Sequence, residues 1–235
     1  MNGFQEKNGT LYVDSVALSD LAARYGTPAY VYSASVIRQQ YETLAGALAR
    51  ALPEGRQPLL CYACKANSNL AVLSLLQSLG SSIEVVSGGE LMRALKAGFA
   101  PEKIVFEGVG KREDEILAAL RAQVHQFNIE SFGELELINR LAAQENVVAD
   151  VVFRLNPDVG GAAHAKIATG SKGNKFGLSP ERVLDGYALA QDMGHVNAVG
   201  IFTHIGSQIS DTDSFETLFK KLADFKEINL WGVVL

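Results

Sequence analysis

The sequence of 235 residues predicts an α/β fold, a TIM-type (β/α)8 barrel that is incomplete and supplies about six of the eight βα units. Three observations lead to this prediction. Short apolar runs alternate with helical patterns, and the first runs start about every 21 to 24 residues, the size of one βα unit. Alternating units of this kind build a parallel sheet. No glycine fingerprint for a dinucleotide follows the first run, which disfavours an open Rossmann sheet.

Apolar runs bounded by turn or helix signals are the predicted strands. They span residues 59–64, 83–86, 104–106, 124–129, 148–155 and 196–204. The predicted helices between and after them include 89–97, 180–192 and 214–226. Two helix starts are well marked, because Ser87 followed by Glu90 forms a capping box and Ser131 followed by Glu134 repeats it.

The glycine pattern favours a barrel over a nucleotide-binding sheet. Residues 65–69, after the first strand, contain no glycine, and Gly108 and Gly110 are followed by Lys111 and Arg112. That segment completes neither a dinucleotide fingerprint nor a P-loop, which needs Ser or Thr after the lysine. In a barrel, functional residues lie at the carboxyl ends of the strands. The long connection 156–177 leaves the carboxyl end of the fifth strand, and its length is typical of a lid or a binding loop.

Composition and charge exclude several classes of protein. The 21 basic and 26 acidic residues give a net charge of −5, which argues against nucleic-acid binding through a positive field. No apolar run approaches the roughly 18 residues that span a bilayer. Residues 1–9 lack the apolar core of a signal peptide. We therefore expect a cytoplasmic protein without membrane or nucleic-acid partners. The 4 histidines lack metal-binding spacing, so we expect no metal site.

The 2 cysteines, Cys61 and Cys64, have the spacing of a redox pair. A redox pair lies at a helix start, whereas these residues belong to a predicted buried strand. Side chains three residues apart on a strand point to opposite faces. We therefore interpret both as small core residues.

Residues at predicted strand ends carry the candidate chemistry. Lys65 follows an apolar strand, where desolvation lowers a lysine pKa and favours the neutral amine that forms a Schiff base; the alternative is a lysine that reaches into solvent. Arg154 lies within an apolar strand, so it either meets an anionic or polar ligand or forms an internal ion pair. His204 and Ser207 could suggest a hydrolase pair, but the Gly-x-Ser-x-Gly elbow is absent. Taken on its own, His204 is better interpreted as a strand-end histidine whose hydrogen bonds are satisfied within the fold.

Six segments of the chain match motifs of one known family in order and spacing. They are Cys-Tyr-Ala-Cys-Lys-Ala-Asn-Ser-Asn at 61–69, Val-Val-Ser-Gly-Gly-Glu-Leu at 85–91, Phe-Asn-Ile-Glu-Ser at 127–131, Arg-Leu-Asn-Pro-Asp at 154–158, Asn-Lys-Phe-Gly at 174–177 and His-Ile-Gly-Ser-Gln at 204–208. With these motifs the sequence resembles the diaminopimelate decarboxylases, which depend on pyridoxal phosphate. The resemblance extends from Leu11 to about Phe225.

The resemblance implies a role for each matching residue. Lys65 would form the Schiff base with pyridoxal phosphate, and His204 would lie against the pyridine ring. Ser207 would bind the phosphate, and Arg154 would approach the phenolic oxygen. The loop 174–177 would close over the substrate. The reaction would be decarboxylation of meso-2,6-diaminopimelate to L-lysine, the last step of lysine biosynthesis, in a homodimer of the alanine-racemase-like barrel family.

The resemblance also implies how the chain is divided. Residues 1–34 would belong to a second, β-rich domain, and residues 35–235 would form part of the pyridoxal-phosphate-binding barrel. Glu84 stands where the family more often has Asp, and Glu107 where a small residue is usual. The family's glycine triplet and Glu-Pro-Gly-Arg motif do not occur, so we expect a truncated chain with negligible turnover alone. A related ornithine or arginine decarboxylase and a non-catalytic pyridoxal phosphate carrier are the alternatives.

Overall fold

Seven parallel strands form one sheet in the part of the chain that the computed structural model describes, which is residues 3–56, 58–157, 176–206, 209, 212–224 and 233–234. In chain order the strands are β4 (Cys61–Ala63), β5 (Ser82–Val85), β6 (Ile104–Phe106), β7 (Gln126–Ile129), β8 (Ala149–Arg154), β9 (Val196–Phe202) and β10 (Val233–Val234). Each strand pairs with its neighbours in the sequence, so among the described residues β4 and β10 are the edges.

Helices connect consecutive strands of this sheet, as a parallel arrangement requires. They are α3 (Leu70–Ser78), α4 (Gly88–Lys96), α5 (Glu113–Ala122), α6 (Phe132–Glu145), α7 (Pro180–Gln191) and α8 (Asp213–Asp224). The serine half of each predicted capping box is present, whereas each glutamate accepts from the backbone N–H one residue before the serine, Val86 N and Glu130 N. Ser87 Oγ accepts a hydrogen bond from Glu90 N at 3.2 Å, and Ser131 Oγ accepts one from Glu134 N at 3.2 Å. Both helices therefore begin where the sequence predicts.

The two faces of the sheet differ in chemistry because strand side chains alternate. One face packs against the helices and supplies most of the apolar core, including Ile83, Val85, Ile104, Phe106, Phe127, Ile129, Val151 and Phe153. Burial of each such side chain stabilises the fold by about 1.5–3 kcal/mol. The other face carries polar side chains, among them Ser82, Glu84, Gln126, Asn128 and Arg154. The sheet therefore directs polar groups to the side away from the helices.

A small antiparallel sheet precedes the parallel one. It consists of β1 (Phe4–Lys7), β2 (Thr10–Val13) and β3 (Val16–Ala17), followed by the helices α1 (Leu18–Tyr25) and α2 (Ala34–Ala51). Asp14 ties this sheet to the start of α2. Its carboxylate accepts hydrogen bonds from Ser35 Oγ at 2.5 Å and Ser33 Oγ at 2.7 Å, and these bonds lower the pKa of Asp14. The assignment of residues 1–34 to a β-domain stays a prediction.

The six predicted strands are confirmed, with ends that shift by at most two residues. The seventh strand, β10, pairs with Ile201 and Phe202 of β9 and was not predicted from the sequence. It has 2 residues, which is too few for a periodic pattern to be visible. Within the described ranges, no helix is both long and apolar enough to cross a membrane.

Candidate active site

Lys65 lies at the carboxyl edge of the sheet, directly after β4. The strand ends at Ala63, and Cys64–Ala66 form one turn of 3₁₀ helix, so Lys65 leaves the sheet in a turn rather than ending a strand. Its side chain is 51% exposed, and its Nζ donates a hydrogen bond to Glu84 Oε1 at 3.2 Å. A second carboxylate oxygen, Glu107 Oε2, lies 3.9 Å from the same nitrogen. The amine is therefore accessible from solvent and held on one side by two acids.

The pKa of Lys65 differs from the expectation that desolvation would lower it. Burial does lower the pKa and is the largest single effect, but Glu84 and Glu107 act together in the opposite direction, and the net pKa is raised. The prediction of a depressed lysine pKa is therefore wrong for this chain without a bound ligand. The cause is the pair of acids Glu84 and Glu107, whose proximity to Lys65 the apolar pattern of a single strand does not predict.

Glu84 and Glu107 form a hydrogen-bonded carboxyl pair beneath Lys65. Glu84 belongs to β5, and Glu107 follows the last residue of β6. Burial and the neighbouring Glu84 raise the pKa of Glu107 to about 8. Burial also opposes ionisation of Glu84, but the hydrogen bond with Glu107 and the charge of Lys65 outweigh it and lower the Glu84 pKa. Two carboxyls in hydrogen-bond contact cannot both ionise easily, so the pair holds one proton at neutral pH.

Arg154, the last residue of β8, forms an internal ion pair. Its Nη1 donates to Glu130 Oε1 at 2.6 Å, and both side chains are almost fully buried, at 8% and 7% exposure. The guanidinium also lies 5.1 Å from the ring centroid of Phe176 and 5.5 Å from that of Phe202. Of the two interpretations left open by the sequence, the ion pair is present; an approach of Arg154 to a cofactor stays a prediction.

A second buried cation, Lys111, supports the loops at this edge. Its side chain is 1% exposed, and its Nζ donates to Glu134 Oε1 at 2.6 Å, Asn128 O at 2.7 Å and Gly108 O at 2.8 Å. All three N–H donors of an ammonium are thus engaged. Lys111 is therefore a structural clamp between β6, β7 and α6, and it is not accessible to a ligand in the way that Lys65 is.

His204 follows β9 and faces the same charged cluster. Burial, Arg154 and Lys65 lower the pKa of His204, while Glu84 and Glu130 partly oppose them. The imidazole is therefore neutral at pH 7, and a neutral ring can stack on another aromatic ring without burying a charge.

Two other predicted elements of the site fall partly or wholly outside the described residues. Ser207, Asn174 and Lys175 lie outside them, and Gly177 lies within them. Gly177 N donates to Glu130 Oε2 at 3.3 Å, and a Cβ at this position would lie 3.0 Å from Arg154 O. Its φ of +75° favours glycine as well. The segment after β8 therefore returns to the ion pair through a position that requires glycine.

The sequence predicted no role for Glu84, Glu107 or Glu130, although the first two are unusual for the family. A usable signal existed. Glu107 and Glu130 directly follow predicted apolar strands, and Glu84 lies within one. Residues two apart along a strand share one face of the sheet, which is how such acids reach a common face.

The cysteine pair takes no part in this site. Cys61 and Cys64 are free thiols. Burial raises the pKa of Cys61 to about 12 and that of Cys64 to about 11, so neither forms a reactive thiolate at neutral pH. Cys64 is a core residue as predicted, although it lies in the turn after β4 and not in the strand, whereas Cys61 is only partly buried.

Comparison with known proteins identifies the family. The model of the pyridoxal-dependent decarboxylases, pyridoxal binding domain, matches residues 35–234. The diaminopimelate decarboxylase of Pseudomonas aeruginosa is 45% identical over 222 residues, which are 94% of this chain and 52% of that protein. The diaminopimelate decarboxylase of Pseudomonas fluorescens is 43% identical and covers 100% of this chain and 56% of its own length.

Solved structures agree with the sequence matches. The diaminopimelate decarboxylase of M. jannaschii in co-complex with L-lysine superposes with a TM-score of 0.91 at 38% identity, over 99% of this chain and 56% of that one. The Helicobacter pylori diaminopimelate decarboxylase complexed with L-lysine gives a TM-score of 0.81 at 39% identity, over 88% of this chain and 52% of that one. The chain spans about half the length of the curated relatives that it matches.

These matches confirm both the predicted resemblance and the predicted α/β fold of a partial barrel. They rest on nearly the whole chain and on identities far above those that show a fold alone. The chain therefore belongs to the pyridoxal-dependent decarboxylases and contains the pyridoxal-binding domain of that family.

Proposed function

We propose that this chain is the cofactor-binding part of an enzyme that decarboxylates meso-2,6-diaminopimelate to L-lysine, with Lys65 as the residue that holds pyridoxal phosphate. One observation carries the proposal: Lys65 presents a half-exposed amine at the carboxyl edge of the parallel sheet, with a carboxylate in hydrogen-bond contact. The relatives cited above support the proposed substrate, since both are diaminopimelate decarboxylases.

The described residues fit a cofactor that carries an aldehyde. An aldehyde needs an amine that it can reach, and Lys65 is 51% exposed whereas Lys111, at the same edge, is 1% exposed. Pyridoxal phosphate, when bound, supplies an electron sink for the electron pair that remains when a carboxylate leaves an amino acid. His204, neutral and next to the cluster, is suited to lie against the pyridine ring. Ser207 is the predicted phosphate ligand.

The residues around Lys65 determine how its Nζ loses a proton. An ammonium cannot attack an aldehyde, so Lys65 Nζ must first lose a proton. Glu84 Oε1, at 3.2 Å, is within hydrogen-bond reach and is the acceptor that the geometry favours. Arg154, fixed by Glu130, keeps a positive charge at the floor of the site, where it would favour the anionic form of a phenolic oxygen.

Trapping the cofactor on the chain tests the proposal directly. The chain is incubated with pyridoxal phosphate, reduced with borohydride and mapped by peptide mass spectrometry. We expect the pyridoxyl group on Lys65, loss of the adduct in Lys65→Ala, and no label on Lys111. Label spread over several exposed lysines, unchanged in Lys65→Ala, would contradict the proposal.

Substrate choice separates the proposal from its alternatives. Carbon dioxide release from meso-diaminopimelate, ornithine and arginine is measured with the protein loaded with pyridoxal phosphate, together with any further polypeptide that the activity requires. Release from meso-diaminopimelate alone is the expected result. Release from ornithine or arginine would favour the related decarboxylases, and cofactor binding with no release from any of the three would favour a carrier. The homodimer and the division at residue 34 stay predictions, which sedimentation and limited proteolysis would test.

A further inference from the structure

Glu107 is a buried acid for which the proposed reaction has no direct use. Its side chain is 7% exposed, and its Oε2 receives no hydrogen bond from any donor in the described residues, although Lys65 Nζ is 3.9 Å away. A buried carboxylate oxygen without a donor is costly, whereas a protonated oxygen needs none and can donate instead. The carboxylate of Glu84 is the hydrogen-bond partner of the Glu107 carboxyl. The geometry therefore fits a protonated Glu107 that donates to Glu84.

Counting charges at this cluster leads to the same protonation state. Lys65 pairs with Glu84, and Arg154 pairs with Glu130, so two positive charges meet two negative ones. Ionised Glu107 would add a third negative charge in a largely buried position, 3.9 Å from both Lys65 Nζ and Arg154 Nη1. Protonated Glu107 leaves the described cluster neutral, which is the less costly arrangement for buried charges.

We propose that Glu107 is a positioning residue that keeps one proton at neutral pH, so that only one carboxylate acts on Lys65. This inference rests on the proposed function, because it concerns how readily the Lys65 amine loses its proton. With Glu107 protonated, Lys65 faces Glu84 alone. When Glu107 ionises, a second carboxylate holds the ammonium, and the reactive neutral amine becomes rarer. Ionisation of Glu107 would thereby lower the reactivity of Lys65 at alkaline pH, relative to a chain in which Glu107 stays neutral.

The groups that face this cluster come from five elements of the sheet. Glu84 and Lys65 face Glu107 from β5 and from the turn after β4, and Arg154 faces it from the end of β8. Glu130, after β7, acts through Arg154, and His204, after β9, faces Glu84. Because burial lowers the His204 pKa, this histidine stays neutral over the range in which Glu107 ionises. The step near pH 8 is thus assigned to Glu107.

Competitive labelling of the chain without cofactor tests the inference. Trace acetic anhydride is applied between about pH 6 and about pH 10, and peptide mapping compares the reactivity of Lys65 with that of Lys220, which is 73% exposed. Glu107→Gln keeps the size and a hydrogen-bond donor but cannot ionise. We expect equal Lys65 reactivity in Glu107→Gln and wild type near pH 6.5, and about fivefold higher reactivity in the variant near pH 9.5. A factor of about five is the effect of one unit charge about 4 Å away in water.

Two further variants separate this role from a structural one. Glu107→Asp keeps an ionisable group and should follow the wild-type profile. Glu113→Gln removes an exposed carboxylate that pairs with Arg140 and should change nothing at Lys65. A constant ratio of Glu107→Gln to wild type at every pH, or a Glu107→Asp profile like that of Glu107→Gln, would overturn the inference.

A measurement on the wild type guards against a variant that does not fold. Carboxyl-carbon NMR of the chain labelled at glutamate should show one carboxyl that titrates near pH 8. Titration of every glutamate below about pH 6 would overturn the inference. Neither measurement involves pyridoxal phosphate, so the inference can fail while borohydride trapping on Lys65 succeeds. It can also hold while the trapping on Lys65 fails.

Discussion

Replacing Glu130 with glutamine should reveal how strongly the buried ion pair stabilises the fold. Glu130 and Arg154 are 7% and 8% exposed, with 2.6 Å between Oε1 and Nη1. Removing one partner of a buried pair costs about 3–5 kcal/mol, because the other charge is left without compensation. Glu107 lies 3.9 Å from the same Nη1 and can supply part of the lost charge when it ionises. At pH 7 Glu107 keeps its proton, so we expect a loss of about 3–5 kcal/mol in the free energy of unfolding.

The chain offers a matched control for this experiment. Glu113 accepts from Arg140 Nη2 at the same distance, 2.6 Å, but these side chains are 60% and 51% exposed. An exposed pair contributes about 0–1 kcal/mol, so Glu113→Gln should cost less than 1 kcal/mol. Urea unfolding followed by circular dichroism gives both values.

Two additional comparisons sharpen the test of the buried pair. Adding Arg154→Met to Glu130→Gln removes the uncompensated charge, so the double variant should be more stable than Glu130→Gln alone. The loss in Glu130→Gln should also be smaller near pH 9 than near pH 6, because Glu107 ionises near pH 8. Equal losses in Glu130→Gln and Glu113→Gln, or a double variant less stable than the single one, would refute the reasoning.

Other substitutions test the remaining features. Lys111→Met should cost about 3–5 kcal/mol in urea unfolding because it leaves the buried acceptors of three hydrogen bonds without a donor; a loss below 1 kcal/mol would contradict the clamp. Gly186→Ala should cost about 1–3 kcal/mol, since its Cβ would lie 2.5 Å from Phe153 Cε1, and an unchanged urea midpoint would show that the ring yields freely. Ser131→Ala should cost about 1 kcal/mol through the lost cap, with Ser131→Asp expected to restore it. The pKa of Glu107 is raised to about 8 in the folded chain, so its protonated form stabilises the fold fully at pH values below its ordinary pKa, and this stabilisation is lost as the pH rises through about 8. The free energy of unfolding of Glu107→Gln should not show this decline. Parallel pH profiles of stability for the variant and the wild type would contradict the assignment.

The sequence was sufficient for most of the fold because its signals are local. Serine N-caps such as Ser87 and apolar runs such as Ile104–Phe106 depend on neighbours within a few residues, and they appear where predicted. The strand β10 could not be recognised in this way, since its 2 residues are too few to show a period. The hydrophobic pattern predicts a helix or a strand well when that element is long enough to show its own period.

The site was only partly predictable, for a physical reason. The strand-end position of Lys65 indicated a reactive amine, but the sign of its pKa shift depends on Glu84 and Glu107, which come from two other strands. The same holds for Arg154, whose partner Glu130 is contributed by the neighbouring strand β7. Charge balance at the carboxyl edge of a sheet is a property of the assembled strands, and one strand read alone does not contain it.

Hydrogen bonds between successive βα units at the carboxyl edge have a consequence for how this edge opens. Glu115 Oε1 accepts from Gly88 N at 2.8 Å, Lys111 joins the loop after β6 to Asn128 O, and Glu130 accepts from Gly177 N. Each bond links one unit to the next, so releasing one loop weakens the hold on its neighbour. Local opening should therefore involve several units at once rather than single loops. In hydrogen exchange, the amides of Gly88 and Gly177 should share one opening free energy although they belong to different βα units.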